Sequence, residues 1–141
     1  MGYTSSMKLD IFTLCDAAGI TTERKLVIHG AFDNIFAAGV PFTYPALSIA
    51  IRLRCDLADE GRHTLALRFL GSDGGELLPT LKGELNVRPP VNGTLRTFCV
   101  DHIINLRNVV IPRFEEYEIT LLIDGEALGS VPFTTTELPS R

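Results

Sequence analysis

Phe114–Phe133 reads FEEYEITLLIDGEALGSVPF, and this stretch decides the fold. Two apolar runs meet at Asp124-Gly125. Ile119, Leu121 and Ile123 alternate with Glu118, Thr120 and Asp124, and Leu122 is the exception. Asp-Gly between such runs is a hairpin signal, because a two-residue type I′ turn needs φ > 0 at both central positions. The chain is therefore expected to close on a β-hairpin, with Asp124 and Gly125 as its structural turn residues.

Earlier segments supply strands for that hairpin to pack against. Leu47, Ile49, Ile51, Leu53, Cys55 and Leu57 face one way, and Ser48, Ala50, Arg52, Arg54 and Asp56 face the other. A period of two marks a strand with one buried and one wet face. Lys8–Asp16 and Lys25–Ile35 read as strands apolar on both faces, with Gly30 as a bulge or close approach. Between them, residues 16–23 read as a connection. Residues 36–46, with Gly39, Pro41 and Pro45, read as a loop or edge. His63–Leu70, Glu76–Val87 (interrupted by Pro79), Thr94–Leu106 and Val109–Ile111 complete the set, separated by turns at 58–62, 71–75 and 88–93.

No stretch holds a 3.6-residue period over three turns. Short strands between turn signals predict an all-β, immunoglobulin-like antiparallel β-sandwich of about 7–9 strands, with a small β-barrel as the alternative. One domain is expected over 8–136. Residues 1–7 read as a vector-derived or disordered terminus, and 137–141 as a tail. Tyr117 matches the tyrosine that ties a strand corner in such sandwiches, and is assigned a structural role.

With 141 residues the chain can bury a core without staples. A net charge of −4 and a pI near 5.3 give no basic footprint for nucleic acid. No run approaches the roughly 18–20 apolar residues of a spanning helix. No signal peptide is visible. Cys15, Cys55 and Cys99 are isolated and odd in number, which reads as reduced thiols in a cytoplasm.

Catalytic and metal patterns are weak. Among His29, His63, His102 and the cysteines, Cys99 and His102 alone have short spacing, and i, i+3 in a strand points them to opposite faces. No cysteine has a nucleophile's setting. Asp59-Glu60 and Glu115-Glu116 lie in or beside turns, and Gly71–Gly75 lacks the lysine and helix of a phosphate loop. No cofactor and no metal are expected. Weak binding candidates remain: Asp16, His29 and Asp33 as a shared polar site, and Phe42 with Tyr44 as a ligand-stacking pair.

Several phrases occur in a distinctive order: Cys15-Asp16, then Gly30-Ala-Phe-Asp-Asn-Ile35, then Pro41-Phe-Thr-Tyr-Pro45, then Tyr117 ahead of Asp124-Gly-Glu126. Over roughly residues 8–135 this order resembles a bacterial family of small all-β domains of unknown function. It departs from that pattern at Phe114-Glu115, where a Pro-Gly turn is commoner. The resemblance implies a compact β-sandwich and brings no activity. The function expected is therefore a non-catalytic sandwich module acting on a protein partner or on itself as a homo-oligomer. A small-molecule or carbohydrate-binding sandwich is the alternative, and a hydrolase or metal enzyme ranks last.

Overall fold

In the computed structural model, residues 7–91 and 96–139 are described. Residues 1–6, Asn92-Gly93 of one expected turn, Thr94-Leu95 of one expected strand and the last two tail residues lie outside them. Nine strands follow in order: β1 (Lys8–Ile20), β2 (Leu26–Phe32), β3 (Asn34–Ala37), β4 (Phe42–Asp56), β5 (Gly61–Leu70), β6 (Glu76–Val87), β7 (Thr97–Ile111), β8 (Glu116–Ile123) and β9 (Glu126–Glu137). They form two sheets, ordered β2-β1-β4-β7 and β3-β9-β8-β5-β6. Every pairing is antiparallel except the short β3–β9 pairing. The fold is an immunoglobulin-like β-sandwich, not a closed barrel.

The core lies between the sheets, where the alternation places it. Ile49, Ile51 and Leu53 of β4 are fully buried, as are Leu67 of β5 and Leu121 of β8. These side chains meet across the two inner faces in one apolar cluster. Met7 joins it at 3% exposure, so it belongs to the folded body and not to the terminal segment. At the other end, β9 reaches Glu137, one residue beyond the expected boundary, and the Leu138 amide donates to the Ala37 carbonyl.

The closing hairpin has a two-residue turn, with Ile123 paired to Glu126. Asp124 and Gly125 adopt φ 52° and 83°, the left-handed geometry of a type I′ turn. At the other end of β8, Tyr117 is buried and stacks on Phe133 with centroids 5.1 Å apart. Its hydroxyl donates to the Arg113 carbonyl at 2.8 Å and accepts from the Arg113 amide at 3.3 Å. That is a tyrosine corner.

Five local readings need correction, the first being that the expected strands Thr94–Leu106 and Val109–Ile111 are joined through Arg107 and Asn108 in the single strand β7. The expected connection at 16–23 is largely strand, since β1 runs to Ile20. The expected strand Lys25–Ile35 divides at Asp33, with β2 in one sheet and β3 in the other. Pro45 lies inside β4 and not in a loop. Its missing N–H falls at a gap in the β4–β7 ladder, opposite Asn108 at φ 54°. Leu57 is 54% exposed and does not face inward, because Asp56 and Asp59 form a capping box that turns the chain into a 3₁₀ turn there.

Candidate functional site

The residues singled out by sequence do not converge. Gly30 lies opposite Asp16 in the β1–β2 ladder with φ 65°, and a Cβ there would collide with the Asp16 carboxylate. Gly30 thus marks a close approach and not a bulge, since the register on either side is unbroken. His29 pairs with Ala17 and so points to the other face of that hairpin from Asp16. Asp33 sits at the bend before β3, beside Asn34, Glu116, Pro132 and Thr134. Asp16, His29 and Asp33 therefore form no shared polar site.

Phe42 and Tyr44 do meet, edge to face at 6.3 Å, and Phe32 lies 5.9 Å from Tyr44. Both rings are half-buried and pack on the core. Burial, then the nearby Asp16 charge, raises the Tyr44 hydroxyl pKa. The pair pins the start of β4 while keeping some exposed ring surface.

One polar constellation that sequence reasoning missed lies at the closing turn. His63 Nδ1 is 2.6 Å from Asp124 Oδ2, and His63 Nε2 is 2.6 Å from the Asp59 carbonyl. Asp124 Oδ1 accepts the Thr64 amide at 2.9 Å. Burial opposes charge on the His63 ring, but the Asp124 bond and the Asp59 carbonyl outweigh it, so its pKa is raised. Burial likewise works to raise the Asp124 pKa, and the His63 and Thr64 bonds overcome it, leaving it lowered. Both ring nitrogens face acceptors, which suits an imidazolium donating twice. The ring is 7% exposed, so the arrangement fastens the hairpin to β5 and offers a substrate little access.

Two of the three thiols are quiet. Cys15 and Cys55 are buried, and burial, followed by the Asp59 charge, pushes the Cys55 thiol up to about 12. Among the described residues no group of His, Cys, Asp or Glu is arranged to hold a metal ion. Among the described residues no helix is long and apolar enough to cross a membrane.

What remains is an edge. β7 pairs with β4 along one side, and no other backbone hydrogen bond to it occurs among the described residues. It is 15 residues long, TFCVDHIINLRNVVI, with no proline, glycine or lysine. Native sandwiches guard their edges with such residues, with bulges or by keeping edge strands short. The other edges are shorter or interrupted. β6 carries Pro79, Lys82, Glu84 and a register shift near Pro79. β2 has 7 residues, and β3 has 4.

β7 and β6 flank the same open side of the sandwich. There Val100, Ile104 and Leu106 of β7 and Leu77, Leu78 and Leu81 of β6 are only partly buried against the core. His102 lies in the same inward row, and burial lowers its pKa, keeping the ring neutral. Near its beginning the edge borders a cleft of about 480 Å³, lined by Arg24, Asn86, Arg88, Cys99, Val100 and Asp101, with Ile20. Chemically, the edge offers unpaired amides and carbonyls beside an apolar row. The sequence placed two strands here, Thr94–Leu106 and Val109–Ile111, which the structure joins in β7, and edge position depends on which strands pair.

A model of a family of unknown function, DUF6941, matches residues 10–136. No curated protein matches the sequence. Among 13 matching chains of solved structures, two illustrate the similarity. One is the alkylpurine DNA glycosylase AlkC of Pseudomonas fluorescens bound to DNA containing an abasic site analog. It is 12% identical with a TM-score of 0.44, over 96% of this chain and 32% of that one, so the present chain spans about a third of it. The other is an immunoglobulin-like protein from Pseudomonas aeruginosa, 12% identical with a TM-score of 0.40, over 96% of this chain and 100% of that one.

Proposed function

The chain belongs to this family of unknown function, so membership brings no activity with it, and we propose that the protein is a non-catalytic binding module that accepts a strand from another polypeptide on its β7 edge. The observation that carries the reading is the unpaired edge of β7, 15 residues long and free of proline, glycine and lysine. Main-chain hydrogen bonds along such an edge supply affinity, and alternate side chains supply selectivity. Val100, Ile104 and Leu106 would lose their remaining contact with water, adding an apolar contribution of roughly 25 cal/mol per Å² covered.

A photo-reactive residue placed at Asn105 of β7, with Lys82 of β6 as the control position, tests the reading. The expected result is protein adducts from position 105 and few from position 82. Equal labelling, or labelling at 82 alone, overturns it.

A further inference from the structure

We infer that the strand accepted by β7 is β7 of a second copy of this chain, paired antiparallel about a two-fold axis at Ile104. The inference rests on the strand-accepting reading above and adds the identity of the occupant. Ile104 is the midpoint of Thr97–Ile111. An axis there sets Asp101 opposite the partner's Arg107, Ile103 opposite the partner's Asn105, and Ile104 opposite itself. Because the axis repeats every contact, the Asp101–Arg107 pair forms twice.

Charge selects this register. Asp101 and Arg107 are the acid and the arginine of β7, and they share its outward face. An axis at Ile103 would oppose Asp101 to Asn105, and one at Asn105 would oppose it to Val109. Among the single-residue axes, Ile104 alone brings opposite charges face to face, where cross-strand pairs interact most strongly. Within one chain Arg107 is exposed, and no ion pair to it is found among the described residues.

Asp101 has spare capacity as well. Its Oδ1 lies 3.8 Å from Arg52 Nε, too far for a hydrogen bond, and both atoms are buried without a hydrogen-bond partner. The Asp101 side chain retains 11% exposure. A second guanidinium beside it adds donors to an under-used carboxylate. The left-handed backbone of Asn108 breaks the pleat, so regular pairing extends over residues 101–107 of each copy. The product is one continuous eight-stranded sheet, with an apolar row covered by its own image.

The test uses the full chain. Sedimentation equilibrium of wild type and Arg107→Asp gives the dimer dissociation constant. Replacing two opposite-charge pairs by two like-charge pairs is expected to raise that constant roughly ten- to a hundred-fold. Arg107 is exposed, so the fold should persist, with circular dichroism as the check. Independently, Ile103→Cys and Asn105→Cys chains, each in a Cys99→Ser background, are mixed under mild oxidation. A disulfide is expected between unlike chains, not between like ones. A strict monomer at about 100 μM, with β7 photo-adducts to other proteins intact, overturns self-pairing and leaves the strand-accepting reading standing. A dimer unaffected by Arg107→Asp and giving no mixed disulfide, together with absent β7 adducts, overturns both.

Discussion

β6 and β7 border the same open side of the sandwich, yet only β6 has a proline and a lysine in its edge. β6 interrupts its edge with Pro79, shifts register beside it, and carries Lys82 and Glu84. β7 runs 15 residues with a ladder to β4 broken only where Pro45 meets Asn108. Both strands contribute half-buried apolar side chains to the same row. Hydrophobicity therefore does not separate them; backbone availability does. An apolar strand can be harmless when its edge cannot pair, and becomes a recognition element when it can.

The most severe way to break this contrast is to remove the floor under both edges. Leu121 is fully buried in β8, and Leu121→Ala is expected to cost about 2–5 kcal/mol. Urea unfolding should show that loss, and amide exchange should rise in β6 and β7 alike.

Loosening the hairpin clasp comes next. His63→Gln removes a charge-assisted bond and is expected to cost about 1.5–3 kcal/mol below about pH 6.5, where the ring is charged. The sign follows from the shifts. The His63 pKa is raised in the fold, so its contribution is complete below the unfolded value of about 6.5 and is lost as pH rises through the folded value. The Asp124 pKa is lowered, so its contribution is complete above about 3.9 and is lost as pH falls through the folded value. Urea midpoints should therefore be greatest between those limits, and His63→Gln should flatten the alkaline limb. The clasp joins β5 to the β8–β9 turn, so the contrast between the edges should survive in the variant.

The smallest effect on stability sharpens the contrast most. Pro79→Thr restores an amide to β6, which is exposed there. Stability is expected to change by less than about 1 kcal/mol, while β6 becomes a second competent edge. Light scattering should then show species larger than the dimer. An unchanged size distribution would mean that Pro79 is not the guard.

Much of the fold was legible in the sequence. Asp124-Gly125 marked its turn because φ > 0 is demanded there, and the alternation in β4 and β8 marked the core because a strand's side chains have a period of two. Tyr117 was legible through its corner role. The break at Asp33 was not, since apolar residues resume at Ile35 and Phe36 beyond Asp33-Asn34 and nothing local says that the two halves join different sheets. Nor was Pro45 legible as a strand residue, because its place depends on Asn108 far along the chain. The candidate site was the least legible part. Asp16, His29 and Asp33 lie close in sequence but are separated by strand parity and a bend. The exposure of β7 is a property of strand order, to which every other strand contributes.

Amide hydrogen exchange along β7 as a function of protein concentration tests the central claim most directly. The expected result is fast exchange at those amides of residues 101–107 that point to the free edge in dilute protein and slow exchange in concentrated protein, with β6 unchanged. Slow exchange at those amides in the dilute monomer would contradict the account, because the edge would already be paired.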